Sequence, residues 1–393
     1  MVSKTTLRNL TILLGSTTTV LAATIISPAL PGMAEAFADV PNADFLVRLI
    51  LTMPALFVAI GALFAGPLLD RWGRKPVLIV SLILYGLAGT AGFFLDSLSA
   101  ILVSRALLGI AVAGIMSGFT TLILDYFKGD ELNRFLGLQG AFIGVGGMVS
   151  IFLSGMLAEF GWQYPFLIYL VAFLILPGVI IYIDEPHQIA TDPAAAAEKT
   201  PFPWRKLAPV YITAFTGMVI FFLFPVQIPF HLADASSSQV GLALSLQGLS
   251  SVIFALQYQR LKARYSFFAI FSLIFLAFSL NHFIISFSSS YLLAVLALII
   301  GGFGIGLFAP INSGWLATIA PAELRGKAVG GMTSMLFLGQ FFSPIIAQPF
   351  VNQVGLSATF ALAAAAALLI AVLFGVGAAR QKHAAVPAVK NIA

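Results

Sequence analysis

Cysteine is absent from these 393 residues, and charge is scarce, with Asp, Glu, Lys and Arg together making up 9% of the chain. The first absence excludes disulfides, thiolate nucleophiles and cysteine-ligated metals. The second sets the chain apart from soluble domains, where about a quarter of residues are charged. Histidine occurs four times, scattered, so neither a metal cluster nor a nucleophile–base pair of the kind an intramembrane enzyme needs is present. No Gly-x-x-x-x-Gly-Lys-Ser/Thr loop exists, which excludes a nucleotide-driven pump. No selectivity-filter repeat points to a channel. The formal charge of +5 comes without an Arg/Lys stripe, so nucleic acid is not an expected partner.

What the chain has is apolar residue, 60% of it, arranged in about twelve long blocks. Lipid cannot satisfy a free backbone N–H or C=O, so a chain this apolar must cross as helices. Each crossing needs roughly 20 residues. The expected spans are 8–31, 46–69, 77–95, 98–120, 134–158, 164–183, 207–230, 238–258, 267–286, 290–311, 328–349 and 356–379. The first resembles a signal peptide superficially, but it is long enough to span and reads as a retained helix. The fold class is therefore an all-α membrane protein of twelve transmembrane helices. They form two six-helix bundles, 1–183 and 207–380, joined by a polar linker at 184–206 and followed by a short tail at 381–393.

Charge placement supports the even count. Eighteen of the 20 basic residues fall in the even-numbered loops and the tails. The odd-numbered loops hold Glu35, Asp39, Asp44, Asp96, Glu159 and Asp234, with Arg48 as their only basic residue. The excess of Lys and Arg places that side, with both termini, in the cytoplasm. Short loops and tails fit a bacterial inner membrane. Arg8 and Arg48 read as boundary markers.

Several polar residues stand out against this background. Arg105 is the one charged residue well inside an expected span, about 12 Å deep counted from Ser97. A charge at that depth must face the bundle interior, water or a partner. Two roles fit: anchoring a polar or anionic solute group, or bonding helix carbonyls as a strut. Its guanidinium stays protonated, so it does not carry a proton. Thr17, Thr24 and Ser27 share a face of span 1. Gln227, Gln247, Gln340 and Ser343 lie on spans 7, 8 and 11, among Phe221, Phe222, Phe224, Phe337, Phe341 and Phe342. Such amides and rings suit a hydrophobic or amphipathic solute, although any one Phe is equally expected to face lipid. No carboxylate lies near mid-span. Proton coupling would fall to Asp125 at one mouth or His231 beside Pro229 at the other, while His282 reads as an interfacial histidine. Asn312 and Trp315 are candidates for the inner mouth. Glycine-rich spans 4, 5 and 10 offer close helix approach, which serves packing and also sliding.

The segment Gly66-Pro-Leu-Leu-Asp70-Arg71-Trp72-Gly73-Arg74-Lys75 lies between spans 2 and 3. It resembles the loop signature of the major facilitator superfamily, whose twelve spans fall in two sets of six. Arg105 with Gly109, Asp125 followed by Glu131 and Arg134, Gly161-Trp162 before Phe166, and Glu323-Leu-Arg325-Gly326 are similar to motifs of its drug/proton antiporter branch. Other motifs depart from that branch. Ser150-Ile151-Phe-Leu-Ser154-Gly155 keeps only the final Gly of the usual Gly-Pro-x-x-Gly-Gly in span 5, Gln163 stands where Arg is usual, and span 1 has no embedded carboxylate. The resemblance implies a cytoplasmic gate in which Asp70 meets the start of span 11 and Arg74 meets Asp125. It also implies no cofactor, energy from a proton gradient, a monomer sufficient for the cycle, and alternating access. The expected function is export of small hydrophobic or amphipathic compounds in exchange for protons. The alternative is movement of a neutral sugar-like or other metabolite without strict proton coupling.

Overall fold

The computed structural model describes residues 3–185 and 201–384. Most of the linker and of the C-terminal tail, Lys199 and Lys390 included, lies outside them. The described chain is helical throughout: α1 (Lys4–Thr24), α2 (Leu30–Ala36), α3 (Ala43–Trp72), α4 (Arg74–Ala91), α5 (Leu98–Tyr126), α6 (Gly129–Ala158), α7 (Val171–Tyr182), α8 (Trp204–His231), α9 (Ser237–Ala255), α10 (Tyr258–Lys262), α11 (Phe267–Phe287), α12 (Tyr291–Ile319) and α13 (Arg325–Ala384). Pro28 and Pro31 explain the break between α1 and α2, since neither can donate to a helix ladder. A short 3-10 turn at Ser27–Ala29 carries the chain across, so α1 and α2 make one crossing. A second 3-10 segment, Tyr164–Leu170, opens the crossing completed by α7.

Eleven helical runs among the described residues are long and apolar enough to cross a membrane. The last of them, within the 60-residue α13, is too long for one crossing: at 1.5 Å per residue it would reach about 90 Å. It turns at Gly355, whose φ of 82° is open to glycine at no steric cost. The limb before Gly355 packs on α8, where Ser343 Oγ donates to the Val219 carbonyl at 2.8 Å. The limb after it packs on α11, where Ser279 Oγ donates to the Ala364 carbonyl at 2.9 Å. Twelve crossings result.

Buried side chains form one large cluster in α1–α7, around Tyr85, Phe119, Phe166 and Tyr169. Separate clusters occupy α8–α13, around Phe271, Phe275, Phe278, Phe308 and Phe360. In lipid these cores gain no hydrophobic transfer energy, so their cohesion comes from close packing and interhelical hydrogen bonds. Gly15 and Gly217 show how tight that packing is: a Cβ on either would stand within 2.1 Å of the rings of Phe119 and Phe308. We call the end of the bundle where α1 begins the basic end, and the opposite end distal.

Candidate functional site

The two sets of helices meet along α6 and α9. Gly137, Gly140, Gly144 and Gly155 share one face of α6, at helical spacing. On α9 the facing row is Ser237, Gly241, Ser245, Gly248 and Val252. At the distal end the row is closed. A Cβ on Gly155 would stand 2.9 Å from the Gly241 Cα, and Ser245 Oγ donates to the Met148 carbonyl at 3.1 Å. Further along, a Cβ on Gly144 would meet Val252, and beyond it one on Gly137 or Gly140 meets nothing within 4 Å. α9 ends at Ala255, three residues past Val252, so the α6 face at Gly137 and Gly140 runs on beyond it and is unopposed at the basic end. A Cβ on Gly66 of α3, or on Gly326 or Gly330 of α13, also meets nothing within 4 Å.

Other distal contacts reinforce the closure. Ser27 Oγ donates to the Pro225 carbonyl. The Glu159 carboxylate, just past α6, accepts the Ser238 N–H at 2.8 Å and its hydroxyl at 2.7 Å. Those hydrogen bonds, the backbone one foremost, hold its carboxyl below the usual glutamate range. Arg48 Nε donates to Gln227 Oε1 at 2.9 Å, from α3 to α8. Phe222 and Val226 of α8 belong to the core cluster of α1–α7. The cleft is thus open at the basic end and closed distally.

Arg48 corrects an expectation. It is not a boundary marker, because α3 begins at Ala43 and carries the side chain inward, where it is 4% exposed. Its Nη1 bonds the Asp44 carbonyl at 2.7 Å, and its guanidinium lies 3.9 Å from the centre of the Phe230 ring. His282 is also corrected. It is fully buried, with its ring 4.2 Å from that of Phe224 and Nδ1 2.7 Å from the Phe278 carbonyl, so it is no interfacial residue. Asn312 and Trp315 lie inside the packing of α8–α13 rather than at a mouth. Asn312 bonds the Phe308 carbonyl, and Trp315 packs on Phe268, Phe271 and Phe374.

Arg105 is fully enclosed. Its Nη2 donates to the carbonyls of Ala88 and Gly89, both at 2.7 Å, in the last turn of α4. Unpaired carbonyls and the helix dipole both favour a cation there. The rings of Phe166 and Tyr169 cover the guanidinium at 4.8 and 5.1 Å. All these partners belong to the first set of helices, so Arg105 is not brought beside Gln227 or Gln340. Gln340 and Phe222 are buried, and Thr24 is half-buried with its hydroxyl on the Val20 carbonyl. His231 Nε2 lies 3.2 Å from the Ser288 carbonyl at the distal end.

In the loop signature, Asp70 and Arg71 are exposed near the end of α3, and Gly73 takes φ 90°, a conformation that permits the sharp turn into α4. Arg74 Nε donates to Asp125 Oδ2 at 3.1 Å, joining α4 to α5. Sequence reading missed Glu185, whose carboxylate accepts the N–H groups of Arg74 and Lys75 at 2.7 and 2.8 Å and caps α4. An acid at a helix N-terminus is favourable, but nothing local to either segment signals the pairing.

A family model described as "Major Facilitator Superfamily" matches residues 12–234 and again 210–391. The chain belongs to the major facilitator superfamily. As a member of that superfamily it is a secondary transporter working by alternating access, not an enzyme, and no group of three metal-ligating side chains occurs among the described residues. It is 28% identical over 330 residues to Multidrug resistance protein 1 of Bacillus subtilis, spanning 78% of this chain and 82% of that one. A shorter match, 33% over 137 residues, is to a niacin transporter of Acinetobacter baylyi, covering 34% of this chain and 30% of that protein's length. Among solved structures, a D-xylose-proton symporter superposes with a TM-score of 0.78 over 95% of this chain and 97% of that one, at 15% identity. That likeness is of fold.

Proposed function

We propose that this transporter exports small hydrophobic or amphipathic compounds from the cytoplasm, with protons moving inward in exchange. The basic end faces the cytoplasm, and the cleft between α6 and α9 is the solute's entrance. The two six-helix sets rock about the distal contacts, so that the cleft closes below the solute and opens beyond it. The observation that carries the reading is the contrast between the closed contact of Gly155 with Gly241 and the unopposed α6 face at Gly137 and Gly140. The near full-length similarity to a multidrug resistance protein supports the solute class. Arg74 and Asp125, with Asp70, Arg71 and the glycines of the loop, form the cytoplasmic gate. A monomer in a bacterial inner membrane suffices.

A second reading is transport of a neutral metabolite without strict proton coupling. One observation favours it: the buried charged side chains among the described residues are Arg48 and Arg105, with no buried carboxylate to carry a proton. Proton flux into proteoliposomes under an imposed pH gradient separates the two. Compound-dependent proton movement with hydrophobic or amphipathic solutes supports exchange. Solute exchange without proton flux supports the second reading.

A further inference from the structure

Arg48 and Arg105 are buried, and neither meets a buried carboxylate. Arg105 bonds two carbonyls through Nη2 and lies under two rings, all within one set of helices, with its Nη1 buried and unpartnered. Arg48 is different, because beside Asp44 on its own helix it takes two partners from across the seam. Gln227 and Phe230 both come from α8, while Arg48 comes from α3. Its one acidic contact among the described residues is Asp44 at 3.5 Å, which is 77% exposed. Around it, donors outnumber acceptors. Gln227 spends its amide oxygen on Arg48, and its Nε2 is buried without a partner. Thr52, one turn along α3 on the same face, is fully buried with an unpartnered hydroxyl.

Opening the distal side separates α3 from α8 and strips Arg48 of Gln227 and Phe230 together. Arg48 then keeps Asp44 of its own helix, the carbonyl at 2.7 Å and the exposed carboxylate at 3.5 Å, while the Nε–H that faced Gln227 is freed, and a guanidinium's fork of N–H donors matches a carboxylate. A neutral amide as the resting partner leaves the site free for exchange, whereas a buried internal carboxylate would occupy it permanently. Resting on the export reading above, we propose that Arg48, Gln227 and Thr52 form an anion subsite at the seam. The solute then carries one carboxylate or similar anionic group on an apolar body and is not a lipophilic cation.

The test uses the full chain in proteoliposomes with three probes: naphthoate, its neutral amide naphthamide, and tetraphenylphosphonium. Counterflow is measured against protein-free vesicles, and ligand-induced thermal stabilisation is read on the purified protein. The wild type is expected to favour naphthoate over naphthamide by about tenfold, the worth of a charged hydrogen bond. Arg48→Gln should erase that preference, so that naphthoate and naphthamide are handled alike whatever the overall rate. Gln227→Glu supplies an internal carboxylate to Arg48 and should lose naphthoate alone, which keeps the test decisive if Arg48→Gln misfolds. Equal handling of naphthoate and naphthamide, or preference for tetraphenylphosphonium, overturns the subsite while the export reading stands. Equal loss of both aryl probes in Gln227→Glu makes Arg48 a structural latch and also overturns it. If no probe moves or stabilises the wild-type protein, the export reading fails and the subsite with it.

Discussion

The Glu159 carboxylate sits on the first turn of α9, accepting the Ser238 N–H at 2.8 Å from across the seam. It is an acid from one set of helices capping a helix of the other, at the end where the structure is closed. Because the closed state holds this carboxyl below the usual range, its contribution is fully present above the ordinary glutamate value. It is lost as pH falls through the lowered value. Acid on the distal side should therefore favour distal opening. The chain has no cysteine, so spin labels at Phe160→Cys and Ala233→Cys report the distal gap without background. We expect that distance to lengthen on acidification, and Glu159→Gln to flatten the pH dependence. An unchanged distance between neutral and acid pH removes Glu159 from gating.

Gly155→Val should jam the seam. A Cβ there already meets the Ser237 carbonyl oxygen at 2.6 Å, and overpacking of this kind costs about 1–3 kcal/mol. The same label pair should show a wider distal gap, with slower transport. Gly140→Ala is the contrast. Its methyl meets nothing here and gains up to about 1 kcal/mol of helix propensity, so thermal stability should hold or rise. Transport should fall only if the basic ends close on that residue during the cycle.

Arg105→Lys should lower stability by about 1–3 kcal/mol, because one ammonium replaces a planar fork that reaches two carbonyls under two rings. Thermal unfolding of the purified variant measures this. Recovery of transport at low temperature would mark the residue as a strut. Loss of transport in a protein that unfolds like wild type would mark it as part of the solute path.

Asp125→Asn breaks the contact with Arg74 at 3.1 Å, a partly exposed pair worth about 1 kcal/mol or less. Stability should change little. Transport should fall through a shift in the accessibility of the basic end, read by spin labels on the basic ends of α6 and α9. Unaltered transport and accessibility would reduce the pair to ordinary surface chemistry.

The crossings were legible in the sequence because lipid imposes a length and charge sorts the loops. The sequence reads the two limbs of α13 as separate spans because its apolar pattern pauses around Gly355, the residue whose φ of 82° breaks the helix between them. Arg48 was misplaced because a boundary shift of three residues, from an expected start at 46 to Ala43, moves its side chain from a margin to a seam. Its partner Gln227 is 179 residues away, a separation that no local pattern encodes. His282 was misread for a related reason: α11 is lipid-facing along Leu273, Leu276 and Leu280, yet its other face turns His282 onto Phe224 and Phe360. Glu185 follows a helix rather than preceding one, and its role as a cap for α4 rests on the fold bringing the end of α7 beside Arg74, 111 residues earlier.

The glycine contact between α6 and α9 also fixes a lever. From Gly155 to Gly137 is 18 residues, an arm of about 27 Å at 1.5 Å per residue. From Gly155 to the end of α6 at Ala158 is three residues, an arm of about 5 Å. Rotation about that fulcrum sweeps the long arm roughly six times as far as the short one. A tilt of about 10° swings Gly137 by about 5 Å and the distal end by about 1 Å. The two openings are thus unequal movements: one is a swing, and the other requires the fulcrum itself to travel along the helix.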